Sequence, residues 1–115
     1  MMAKKSVSGT GLYRQGDVLI CRIDPAKVPA ETTEIPREAG RVILAHGEVT
    51  GHAHAIRNRN VCFLRAEGHT DRFLQVSVTS NLDHEEHDTI ALPPGTYRVR
   101  IQREWSGEVS RRVED

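Results

Sequence analysis

From about Tyr13 onward this chain repeats short runs rich in β-branched and aromatic residues, each broken by Gly, Pro, Asn or Asp, and that rhythm favours a β fold. Two-branched side chains are stiff at χ1 and pack well on a pleated surface, so runs such as VLICRI and VCFLRA favour extended chain. The spacing predicts strands over Asp17 to Ile23, Arg41 to Val49, His52 to Arg57, Val61 to Ala66, Phe73 to Val78 and Thr96 to Glu104. In the last of these, Tyr97, Val99 and Ile101 alternate with Arg98, Arg100 and Gln102, which puts one apolar face on the strand. With 115 residues the chain supports a single core. The expectation is an all-β single domain, a small barrel or sandwich of about six to eight strands.

Residues 1–12 combine two lysines with serines and glycines and lack hydrophobic periodicity, so they read as a flexible arm before a single β-rich domain over 13–115. Between the first two strands lies DPAKVPAETTEIPREAG, whose three prolines rule out a central strand. It is expected to be an exposed loop with a short helical turn near Pro36 to Ala39, and its length suits a lid, a partner-binding element or a plain connection. EGHTDRF reads as a hairpin turn with His69 at the tip, and SGEVSRRVED as a fraying end or a helical turn.

Lys plus Arg and Asp plus Glu both count 16, and this balance disfavours a nucleic-acid binder driven by overall charge. Cys21 and Cys62 each sit in an apolar run and are expected as free core thiols. The opening MMAKKSVSGTGLY is basic but lacks the apolar stretch of a secretion signal, so a reducing cytoplasm is expected. No apolar run is long enough to span a bilayer.

Two histidine pairs carry the chemistry: His52 and His54 in GEVTGHAHAI, and His84 and His87 in LDHEEHDTI. On a strand, residues two apart share a face, so His52 and His54 present their rings side by side. Residues three apart share a target only if the backbone bends, and NLDHEEHD is rich in turn formers and acids. Each pair gives two nitrogen ligands from one stretch of backbone, so bringing two segments together completes a site for a divalent transition metal, zinc above others, with no organic cofactor implied. The spacing differs from the HExxH of zinc proteases, so that mechanism does not transfer. Glu85 and Glu86 are candidates for acid or base, ligand or orienting carboxylate, and Glu48 is a further carboxylate nearby.

Other residues carry weaker signals. His46 reads as a partly buried strand residue and His69 as a solvent-exposed one. Arg14, Gln15, Gly16 and Asp17 form a polar turn leading into a strand. RNRN at Arg57 to Asn60 suits a hairpin turn or a phosphate contact. Arg98 and Arg100 share a strand face and suit surface ion pairing or the grip of an anionic substrate, with Arg103, Arg111 and Arg112 adding basic charge downstream. Tyr97 and Trp105 read as core or edge aromatics.

The blocks RQGDVLI, GEVTGHAHAI, DHEEHDTIALPPGTY and RVRIQREW resemble a group of small, functionally uncharacterised proteins of bacteria and their phages, over about Arg14 to Arg112. That resemblance implies a phage or mobile-element setting and no catalytic residue. The His-x-His strand also resembles that of cupin-like barrels in architecture, without their downstream glutamate and histidine pattern.

Three functional expectations follow. The first is a metal-dependent hydrolase acting on a small anionic substrate, its metal on His52, His54, His84 and His87 and its acid or base at Glu85 or Glu86. The second is a non-catalytic binding or assembly module with a protein partner, in which the histidines hold a structural metal or none. The third is a metal-free histidine acid and base pair that cuts a phosphodiester.

Overall fold

Alternation governs the architecture: strand after strand places every second side chain in one apolar layer, and two sheets share that layer. The computed structural model describes residues 11–47 and 49–102. Among the described residues there are ten strands: β1 Leu12–Gln15, β2 Val18–Ile23, β3 Thr33–Glu34, β4 Val42–His46, β5 Ala53–Ile56, β6 Val61–Arg65, β7 Arg72–Val76, β8 Ser80–Asp83, β9 Ile90–Leu92 and β10 Gly95–Ile101. They form a six-stranded sheet in the order β1-β2-β10-β7-β6-β3 and a four-stranded sheet in the order β4-β5-β8-β9, paired antiparallel throughout. The sheets do not close on each other, so the fold is a sandwich and not a barrel.

The core lies between the sheets. Tyr13, Val18, Ile20, Val61, Phe63, Leu74, Val76, Tyr97 and Val99 come from the larger sheet, and Val42, Leu44, Ile56, Leu82 and Leu92 from the smaller. Register explains the layer: Ile20 stands opposite Val99, Tyr97 opposite Leu74, Phe63 opposite Leu74, and Ile56 opposite Leu82. The Tyr97 hydroxyl donates to the Pro93 carbonyl at 2.6 Å, and burial pushes its pKa up to about 12. On the other face of the smaller sheet, Ile43, Ala53 and Ala55 make a separate apolar cluster.

All six strands expected from the sequence are present, and β1, β3, β8 and β9 are additional to them. β1 begins at Leu12, the last residue assigned to the arm, because its ladder with β2 pairs Leu12 with Cys21. The expected helical turn near Pro36 to Ala39 is absent; a 3-10 turn instead occupies Pro25–Lys27, where Pro25 supplies the first helical position and the Asp24 carboxylate accepts from the Ala26 amide. The long loop is held down: the Ile35 amide donates to the Phe63 carbonyl, and Arg37 donates to the carbonyls of Gly40, Asn58 and Val61. Cys21 and Cys62 are free but half-buried, since both alternate away from the core layer. Among the described residues no helix is long and apolar enough to cross a membrane.

Candidate metal centre

Burial along β5 is complete, and its inward residues are His54 and Ile56. A register shift between Ile43 and Ala45, opposite Ala55 and His54, is an irregularity of the kind that re-aims side chains beside sites. His54 is 4% exposed, and its partner across the sandwich is Gln15 at the end of β1, 2% exposed. The Gln15 amide nitrogen donates to the carbonyls of Leu82 (3.0 Å) and Asp88 (2.9 Å), so its oxygen faces His54 Nδ1 at 2.8 Å. Two carbonyls only accept, which fixes the amide orientation and makes His54 Nδ1 the donor.

His52 precedes β5 and is placed by the β4–β5 connection: the Gly47 amide donates to the His52 carbonyl at 2.7 Å, and the His52 amide to the Val49 carbonyl at 3.0 Å. The segment between β8 and β9 bends, as the turn formers around HEEH suggest. His84 caps that bend, its Nδ1 accepting from the amides of Glu86 (3.0 Å) and, more weakly, His87 (3.4 Å). A Thr89 hydroxyl bond to the Asp83 carboxylate at 2.8 Å closes the base of the loop.

These elements gather the four imidazoles. Ring centroids are 5.7 Å apart for His52 and His84, 4.3 Å for His54 and His84, 4.7 Å for His84 and His87, and 6.0 Å for His54 and His87. One ligand atom each from His52, His84 and Glu85 lie within 4.8 Å of one another. The Glu85 carboxylate accepts from the Ala53 amide at 2.9 Å; that bond, with its own amide and the two nearby imidazoles, holds its pKa below the usual carboxylate range. Glu86 sits 3.6 Å from His52 Nδ1.

Gln15 and Gly16 were legible only as turn residues, yet both shape the cluster. Gly16 takes the first central position of the two-residue β1–β2 hairpin with φ +58°, the place where glycine is preferred in a type II′ turn. A Cβ there would lie 2.8 Å from His87 Nε2 and 3.4 Å from His54 Cε1. The usable signal was the alternation that makes Gln15 share a face with Tyr13, because a buried amide must find partners.

The remaining candidates lie elsewhere. Arg98 and Arg100 alternate with core residues Tyr97 and Val99, so they face away from the layer that holds His54. Arg100 forks onto Asp71 with two bonds of 2.9 Å, and Arg98 lies 3.8 Å from the same carboxylate. Those bonds and charges depress the Asp71 pKa. The sheet thus separates both arginines from the histidines, and they are not placed to grip a substrate held there. His46 is exposed and not partly buried; it pairs with Glu38 at 3.2 Å. His69 stays on its exposed hairpin, its ring edge-on to Phe73. Arg57 and the Asn58–Asn60 stretch connect β5 and β6 on the surface. Glu48, Arg103, Trp105, Arg111 and Arg112 lie outside the described residues.

A family model described as a domain of unknown function, DUF8820, matches residues 14–102. No curated protein and no solved structure matches the chain.

Proposed function

The chain belongs to the DUF8820 family, and from its histidine cluster we propose that it binds a divalent transition metal, zinc above others, with His52, His84 and Glu85 as ligands and His54 and His87 beside them. The observation that carries this reading is the closeness of two imidazoles and a carboxylate that is already anchored by the Ala53 amide. Zinc takes nitrogen and carboxylate ligands at about 2.0–2.2 Å, so the three groups would draw closer together on binding an ion. Two histidines and one carboxylate also suit non-haem iron(II), and elemental analysis separates the two.

With three protein ligands and a position left to water, such an ion would lower the pKa of that water toward neutrality and so supply a hydroxide for hydrolysis. Glu85 then serves as ligand, and the exposed Glu86 carboxylate stays available to orient His52 or to accept a proton. The number of imidazoles favours a second reading, in which His54 and His87 complete a closed structural site and the protein is a binding or assembly module. Free, half-buried cysteines suit a reducing compartment, the cytoplasm.

The test is elemental analysis of protein purified without a histidine tag, beside His52→Ala and His84→Ala. About one equivalent of metal in the parent and its loss in both variants supports the reading; trace metal unchanged across all three refutes it. Cobalt substitution then separates the two forms. Added azide changes the visible spectrum of an open site and leaves a closed one unaltered.

A further inference from the structure

We infer that Gln15 is the positioning residue of this site: it fixes His54 in the Nδ1–H tautomer, so that the ring offers the electron pair of Nε2 as its ligand atom. The inference rests for its consequence on the closed form of the metal reading, in which His54 completes the site, and for the tautomer on the hydrogen bonds alone. Neutral imidazole carries one proton, and the nitrogen that holds it cannot coordinate. Gln15 settles which nitrogen that is. Its amide nitrogen is committed to two carbonyls, leaving only an acceptor to face His54 Nδ1. Both side chains are buried, so water does not compete for the bond.

The same two carbonyls give Gln15 a second task. Leu82 lies on β8 before the HEEH bend and Asp88 follows it, so one amide straps both ends of the segment that carries His84, Glu85 and His87. Gln15 therefore holds the two halves of the cluster in register from the opposite sheet. Metal-bound histidines ordinarily donate their other N–H to an acceptor, and removing that acceptor lowers affinity about 10–100-fold.

The experiment is a long-range 1H–15N spectrum of the imidazoles in metal-free protein, for the parent, Gln15→Leu and Gln15→Glu, followed by zinc titration of each. The parent is expected to show His54 as the Nδ1–H tautomer. Gln15→Leu should lose that preference and bind zinc about 10–100-fold more weakly, whereas Gln15→Glu keeps an acceptor for His54 Nδ1 and so retains the Nδ1 proton, while it loses the donor that straps Leu82 and Asp88. A parent His54 protonated at Nε2, or undiminished zinc affinity in a folded Gln15→Leu, overturns the inference. If Gln15→Leu does not fold, the parent spectrum and Gln15→Glu decide it. Should the parent bind no zinc, the metal reading falls, and the tautomer still decides what Gln15 does.

Discussion

Replacing Gly16 with alanine asks whether the first hairpin is shaped by turn geometry alone or also by the rings packed against it. At φ +58° the backbone is left-handed, which costs a residue with a Cβ about 1–2 kcal/mol. The new methyl would also stand 2.8 Å from His87 Nε2, closer than carbon tolerates, and in tight contact with its Cδ2 at 3.3 Å. His87 is exposed and can swing aside, so the contact adds little to the stability loss while moving the ring. At about 4–8 °C per kcal/mol for a domain of this size, the midpoint should fall by roughly 5–15 °C. Gly68→Ala is the control: its φ is +85° and nothing lies within 4 Å, so it bears a comparable backbone penalty far from the cluster. Thermal melts of metal-free protein by circular dichroism, with zinc affinity from chelator competition, separate the effects. Both variants lose stability, but where His54 and His87 complete the site only Gly16→Ala loses zinc affinity, by about 10-fold or more. Equal affinity in the two refutes the claim that Gly16 makes room for the histidines.

Three further outcomes are expected. His84 Nδ1 accepts two amides, so its neutral ring is protonated at Nε2; coordination by either nitrogen disturbs those bonds, and zinc should shift the amide resonances of Glu86 and His87 beyond those of Gly68. Asp71 has a depressed pKa, so the Arg100 pair stabilises above the ordinary carboxylate range and is lost as pH falls through the lower, folded value. Asp71→Asn should cost about 0.5–1 kcal/mol at neutral pH, and urea titrations should show that difference shrinking below about pH 4. Tyr97 has the opposite sign: its pKa rises from 10.0 to about 12, so its contribution is intact below pH 10 and lost as pH climbs towards 12. Tyr97→Phe removes the bond to Pro93, costs about 1 kcal/mol near neutral pH and flattens that alkaline loss, which denaturant melts across this range would detect.

The strands that could be read from sequence are those whose own residues state their preference. VLICRI, VCFLRA and the alternating TYRVRI carry enough β-branched or aromatic side chains to imply a half-buried strand without knowledge of the partner. LYRQ, TE, SNLD and IAL do not: they are two to four residues long, too short for a pattern of their own, and become strands because a neighbour supplies the ladder, as β2 does for β1 and β8 for β9. The same distinction governs the site. His-x-His and HEEH were visible because each pair is local, and a local pair is a property of a few residues. Gln15 acts on His54 and on the carbonyls of Leu82 and Asp88, partners distant in sequence, so its role exists only once β1 lies across the sandwich from β5 and β8. Arg98 and Arg100 show the converse. Their shared face was legible, but which face the sheet would bury was decided by Tyr97 and Val99, and that choice turned both arginines away from the histidines toward Asp71. Pattern therefore identified the groups that could meet, whereas sheet order selected which of them do.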